Sequence, residues 1–238
     1  MNQTVHSRRR AASAKPVVKE SKETSRTNDP ARTMANILDV ALTEFAEKGL
    51  DGARIDEIAA ATQTSKRMIY YYFGSKEGLY LAVLEASYRA MRETEADLHL
   101  GDLAPEAALR RLVEFTFDHH LASEPYIRLV MAENMQRGHY MAQSQSIEQL
   151  NVPAISAIEG LYARGLAAGV FRPGVDAIDL HATISALCFF NVANRHTFGL
   201  IFKRDYTEPA VVAARRESIV QTVLRFVDAQ GKPLEQKN

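Results

Sequence analysis

One cysteine in 238 residues, Cys188, is too few for an internal disulfide and fits a reducing compartment. Its neighbours Ala186, Leu187, Phe189 and Phe190 are apolar, which marks a buried structural thiol and not a reactive one. No apolar run approaches the ~20 residues that a membrane-spanning helix needs. The charged start of the chain lacks the apolar segment of a secretory signal, so the expected location is the cytoplasm. Internal repeats, a Gly-rich phosphate loop and a convincing apolar–polar alternation are also missing, which removes repeat arrays, phosphate-loop folds and half-buried strands. Charge of one sign is missing too: 29 basic residues stand against 29 acidic ones, so the overall balance does not announce a polyanion binder.

The balance is uneven along the chain. Residues 1–28 carry seven basic side chains (Arg8, Arg9, Arg10, Lys15, Lys19, Lys22, Arg26) against Glu20 and Glu23. A basic arm on a neutral body suits a partner whose phosphates are touched in one place only. With almost no large apolar side chain, this stretch is expected to be a disordered tail, either a solubilising leader or an arm along DNA.

Order is expected to begin at Asn28-Asp29-Pro30, a cap followed by proline at the first helical position. Ile37, Leu38, Ala41, Leu42 and Phe45 recur at helical spacing, and Gly49 is placed to close that helix in a left-handed conformation. Asp51-Gly52 reads as a turn. A short second helix follows, with Ile55, Ile58 and Ala59 inward and Asp56 and Glu57 at the positive end of its dipole. After Thr62-Gln63-Thr64-Ser65, a third helix runs from about Lys66 to Phe73, capped by Ser65. Gly74-Ser75 then opens a fourth through Leu79, Val83, Leu84, Tyr88 and Met91. Two short helices joined by a turn, with flanking helices over their apolar faces, form the helix-turn-helix plan.

Beyond Pro105 the periodicity predicts helices over 105–122, 125–137, 147–168, 176–200 and 208–229. The fold class is therefore all-α, with a three-helix DNA-binding domain ahead of a larger helical one. The division is 1–28 tail, 29–91 helix-turn-helix domain, 92–230 second domain and 231–238 flexible end.

Base readout requires a short helix whose leading side chains enter the major groove while its amides face phosphate. Lys66 and Arg67 can donate to guanine O6 and N7, and Met68 can touch a thymine methyl. Ser65 and the adjoining amides can hold a phosphate. Tyr70, Tyr71 and Tyr72 follow, with Tyr70 or Tyr71 on the DNA side, and Lys76 can neutralise one more phosphate.

The stretch Ile58-Ala59-Ala60-Ala61-Thr62-Gln63-Thr64-Ser65-Lys66-Arg67-Met68-Ile69-Tyr70-Tyr71-Tyr72-Phe73-Gly74-Ser75-Lys76-Glu77-Gly78-Leu79 resembles the N-terminal signature of TetR-family (tetracycline-repressor-like) regulators. The likeness covers roughly residues 30–90. It implies base-facing or groove-facing roles for Lys66, Arg67 and Tyr70, and phosphate-facing ones for Ser65, Tyr71 and Lys76. Gln63 stands where the family usually has a turn glycine, Arg67 at a common glycine and Met68 at a common threonine. Arg54 stands at the usual Ser or Thr cap of the second helix, a lost cap whose side chain could reach phosphate. Such departures imply a different operator, not the absence of DNA binding.

The same resemblance implies an effector-binding and dimerisation domain after Pro105. Polar groups embedded in apolar helices nominate Tyr126, Met131, Glu133, Asn134, Phe190, Asn191 and Asn194 as pocket candidates, while Arg128 and Glu133 also fit a structural pair. The helices at 176–200 and 208–229 are expected to form a four-helix dimer seam. Phe189, Val192, His196, Ile219, Val223 and Phe226 would contribute to that seam or to the monomer core. A two-fold dimer presents two recognition helices about 34–36 Å apart in the simplest case and so implies a palindromic operator. The function implied is a repressor released by a small organic effector. The alternatives are a ligand-independent activator or architectural factor of the same fold, a helical adaptor, and a helical enzyme. For the enzyme, His119-His120 with Asp118 and Glu124 is the only suggestive group. Adjacent residues diverge by about 100° on a helix, and the His-x-x-x-His spacing is missing. No cofactor and no metal is implied.

Overall fold

The structure is a computed structural model that describes Met1 and residues 29–230; the expected tail after Met1 and the expected flexible end at 231–238 lie outside the described residues. The described chain is ten α-helices with two short 3-10 turns: α1 Pro30–Gly52, α2 Ile55–Ala61, α3 Lys66–Phe73, α4 Lys76–Ala96, α5 Pro105–Ala122, α6 Glu124–Met135, α7 Gln145–Ala167, α8 Ala177–Ala193, α9 Arg195–Phe202 and α10 Pro209–Val227. The turns are Leu100–Asp102 and Met141–Gln143. Among the described residues, β-structure amounts to one antiparallel bridge between Phe171 and Asp228. That bridge clasps the end of α10 to the chain after α7, with Arg172 N–H on the Val227 carbonyl (2.7 Å) and Ala229 N–H on that of Val170 (3.1 Å).

The start of α1 follows the expected chemistry: the Asp29 carboxylate accepts from the Ala31 amide at 3.0 Å and Pro30 takes the first helical position. Its end differs from expectation. Gly49 has φ 68 but ψ 174, outside the left-handed helical region and in one that only glycine occupies readily. The chain bends there and drives Leu50 into the core before α2 begins.

The helix expected over 176–200 is two helices, α8 and α9, parted at Asn194 (φ −110, ψ 0). Asparagine competes poorly for helix, and the first residue beyond it is held elsewhere, since Arg195 ion-pairs with Glu124 on α6.

Two principal cores result. The first joins Ile37, Ala41, Phe45, Ile58, Ile69, Leu79, Tyr80 and Leu84, and is completed by Leu129 from α6 and Ile147 from α7. The second joins Leu109, Leu112, Phe117, Ile158, Leu161, Leu180, Ile184, Val220 and Val223 from α5, α7, α8 and α10. Cys188 is buried in it, and burial pushes its thiol up to about 12, which keeps it protonated and inert. A small cluster of Met91, Tyr126, Ile127 and Val192 sits between the two cores, meeting the first through Tyr88 and the second through Leu121. No helix among the described residues is long and apolar enough to cross a membrane.

Candidate nucleic-acid interface

The geometry of α3 begins in the turn before it. The Thr62 hydroxyl donates to the Ile58 carbonyl at 2.8 Å and ends α2, and the Thr64 amide returns to the Ala59 carbonyl at 3.0 Å. Between them Gln63 takes φ 53, the left-handed conformation expected to strain a non-glycine residue. Ser65 then caps α3, its Oγ accepting from the Met68 amide at 3.2 Å. One side chain, Ile69, is wholly buried and fixes the rotation of the helix on the first core.

That anchor decides what faces outward. Ser65, Lys66 and Arg67 are exposed at the leading tip, Met68 is half-buried, Tyr70 is 44% exposed and Tyr71 77%. Tyr72 turns inward, its ring 5.4 Å from that of Tyr71 and 6.2 Å from that of Phe73. The cations are not all free. Lys66 pairs with Asp56 on α2, and Lys76 Nζ donates to the Asp51 carbonyl at 3.2 Å.

At the start of α2 the side-chain cap is indeed absent. Arg54 is exposed and its amide donates to Glu44 Oε1 at 3.2 Å. Glu44 also accepts from Lys48 at 2.9 Å, and Lys48 pairs with Glu57. The hydrogen bond from Lys48 holds the Glu57 carboxyl below its ordinary range, and Glu57 in turn pushes the Lys48 ammonium up. This bracket ties α1 to α2 where a Ser or Thr would have closed the helix end.

Behind α3, Ser75 caps α4 by accepting from the Gly78 amide at 3.0 Å. A Cβ on Gly78 would lie 2.1 Å from the Phe73 carbonyl oxygen, so the close approach of α3 and α4 requires glycine there. A groove of about 800 Å³ runs beside the α3 tip, bordered by Arg32, Thr33, Asn36, Gln63, Thr64 and Ser65. Sequence reasoning missed Arg32, Thr33 and Asn36. They precede α3 by some thirty residues, and only the packing of α1 brings them alongside.

The seven pocket candidates separate. Tyr126 is buried, edge-on to Tyr88 at 5.4 Å, with Met131 packed partly buried on the same small cluster. Glu133 is buried beside Tyr80 and Tyr140 and accepts from the Met141 amide at 2.9 Å. It makes no pair with Arg128, whose Nε donates to the Ala46 carbonyl at 2.7 Å. Asn134 is exposed and donates to its own helix at Val130. The buried Asn191 accepts from Arg215 Nε at 3.0 Å, and Asn194 forms the α8–α9 break. Phe190 borders a hollow of about 270 Å³ with Phe198, Tyr206 and Arg215. None of the seven lines the second domain's more apolar cavity, about 790 Å³, between the end of α4, the Leu100–Asp102 turn and α7.

The residues named for a dimer seam also divide. Val192, Ile219 and Val223 are buried in the single chain, Phe189 is half-buried, and His196 and Phe226 are exposed.

A capped short helix whose anchored inner face leaves a cationic, tyrosine-bearing face outward, packed on a second short helix through a tight turn, is a helix-turn-helix of the DNA-reading kind. The comparisons specify it further. Residues 37–83 match the model of bacterial regulatory proteins of the tetR family, and residues 105–223 match that of a tetracyclin repressor-like C-terminal domain. A curated relative, the HTH-type transcriptional repressor NicS of Pseudomonas putida, is 35% identical over 177 residues, covering 74% of this chain and 84% of its own. Among solved structures, SCO4942 of Streptomyces coelicolor superposes with a TM-score of 0.62 at 27% identity, covering 82% of this chain and 98% of its own. The transcriptional regulator FadR of Bacillus subtilis, solved in complex with stearoyl-CoA, superposes with a TM-score of 0.63 at 16% identity, over 84% and 99% of the two chains, a likeness of fold alone. The chain belongs to the TetR family of transcriptional regulators.

Proposed function

We propose that the protein is a repressor that binds a palindromic operator as a homodimer and is released from it by a small organic effector. The observation that carries the DNA reading is the α3 tip: Ile69 buried beneath, Lys66, Arg67, Tyr70 and Tyr71 outward, and the amides of a Ser65-capped helix end at the front. In this reading Lys66 and Arg67 address base edges. Ser65, Tyr71 and Lys76 hold phosphates, and Met68 and Tyr70 fill the groove. In the same reading Arg32 and Asn36, which border the groove beside the tip, and Arg54, exposed before α2, extend the phosphate contacts. The named repressor among its relatives supports the sign of regulation.

Exposed apolar side chains on α8 and α10, Ile178, Phe190 and Phe226, supply material for a seam between two copies. Release needs an effector with different affinity for two arrangements. Two links tie the second domain to the DNA-reading part. First, α4 abuts α3 at Gly78 and borders the 790 Å³ cavity at its other end. Second, Glu124 on α6 pairs with Arg195 of α9, while Arg128, one turn along, holds the Ala46 carbonyl of α1. The protein acts through binding, in the cytoplasm at the nucleoid.

Selection of bound DNA from a random pool, followed by footprinting, tests the reading. The expected result is a palindromic consensus, and binding that shows no sequence preference would refute it.

A further inference from the structure

The cavity beside α4 is walled mostly by apolar groups, among them Leu100, Leu150, Pro153, Ala157 and Leu161. Two arginines also reach it, and they differ in one respect. Arg164 has spent its donors on the carbonyls of Leu100, Gly101 and Leu103, at 2.8 to 2.9 Å. Arg92 has not. Its side chain is only 10% exposed, it pairs with Glu95 one turn on, and its Nε is buried without a partner.

Unmet hydrogen bonding also occurs on α5. His119 Nδ1 and His120 Nδ1 on α5 are also buried without partners, and the charge of Arg92 bears on both imidazoles. Burial, and then neighbouring charge, pushes His120 down to about 4, and His119 and His181 fall in the same direction, so these rings are neutral at pH 7. Buried polar atoms in folded proteins almost always find partners. Of these residues Arg92 alone lines the cavity, and its unpartnered Nε points to an acceptor that this chain does not supply.

We propose that the cavity binds an amphipathic monocarboxylate, with its apolar body against Leu150, Pro153, Ala157 and Leu161 and its carboxylate on the Arg92 guanidinium. The proposal rests on the effector reading above and names the chemistry of that effector. A planar guanidinium matches a carboxylate in a two-pronged contact. A single negative charge is specified because Glu93 and Glu95 already stand in the same wall and would repel a dianion. Burial raises the Glu95 carboxyl, with Arg92 opposing, and in the proposal the ligand carboxylate displaces Glu95 from the guanidinium.

Calorimetry on the full chain tests this, with octanoate and benzoate as probes and 1-octanol, benzyl alcohol and octylamine as matched controls. At least one acid is expected to bind, at least tenfold tighter than its matched alcohol and than octylamine. Arg92→Gln is expected to weaken the acid at least tenfold and leave the alcohol unchanged, while Arg92→Lys keeps part of the affinity. Ala157 lies exposed on the cavity wall, so Ala157→Trp fills the space without entering a core and is expected to abolish acid binding even if Arg92→Gln fails to fold. Absence of binding by both acids, equal binding of alcohol or amine, or wild-type acid affinity in Ala157→Trp or in a folded Arg92→Gln would overturn the proposal. Binding to a selected DNA site is measured separately. If an acid binds through Arg92 and the protein still holds its DNA, the carboxylate site stands and the release mechanism falls.

Discussion

The DNA-reading part and the second domain assemble their working surfaces in opposite ways. In the first, the cap, the turn, the anchor and the outward face of α3 come from Thr62 to Gly78, a short contiguous stretch. In the second, the cavity draws on α4, the turn at Leu100–Asp102 and α7, so that Arg92 and Arg164, far apart in sequence, line one space. A local surface keeps its contacting residues in one short stretch and fails abruptly when those few residues change. A surface assembled from distant elements depends on the packing of everything between.

That contrast can be broken or sharpened experimentally. The largest effect is expected from reversing charge at the α3 tip. Lys66→Glu with Arg67→Glu should lower operator affinity by at least a hundredfold, since each base contact is worth about 1–3 kcal/mol, with the thermal midpoint almost unchanged. Gel-shift titration and thermal melting measure the two readouts. Ile69→Ala should act on both at once. It removes the wholly buried anchor, costs about 2–5 kcal/mol of stability, and loosens the face that carries Lys66.

In the second domain the expected effects are graded. His120 titrates about 4 when folded and near its ordinary value when unfolded, so between those pH values the unfolded chain holds the extra proton. Its contribution to stability is therefore complete above pH 6.5 and is lost as pH falls toward 4, by at most about 1.4 kcal/mol per pH unit. His120→Gln should flatten denaturation midpoints across that window; an unchanged slope would show that His120 is not held neutral. A smaller effect is expected from Arg128→Ala, which removes the bond to the Ala46 carbonyl. It should lower stability by about 1 kcal/mol and reduce any effector-dependent change in DNA affinity more than the affinity itself. Smallest of all, Asp56→Asn frees Lys66 from an exposed pair. It should raise operator affinity by no more than about threefold, because such pairs are weak in water.

The same contrast explains what was legible in the sequence. Asp29-Pro30, Ser65 and Ser75 act within three residues of themselves, so each cap could be read directly from residue type and spacing. The strain at Gln63 follows from the turn it must make, whereas Ile69 does not stand out, because a single buried residue in an eight-residue helix shows no periodicity of its own. The α8–α9 break was not legible, because Asn194 alone does not end a helix; the pull of Glu124 on Arg195 comes from another element. The cavity was missed for a related reason. Leu150, Pro153 and Ala157 look like any helix face in sequence, and Arg92 like any surface arginine, until α4 and α7 lie side by side. The embedded polar residues that drew attention instead have internal uses, as Asn191 does in accepting from Arg215.

Leu129 and Ile147 carry a practical consequence. They come from α6 and α7, yet they complete the core under the DNA-reading helices. A fragment cut after the fourth helix would leave an oily socket where those two side chains belong, inviting self-association. A chimaera that transplants this operator-reading module onto a foreign sensor should carry both plugs, or replace the socket's lining with polar residues, before its failure to bind is blamed on the recognition tip.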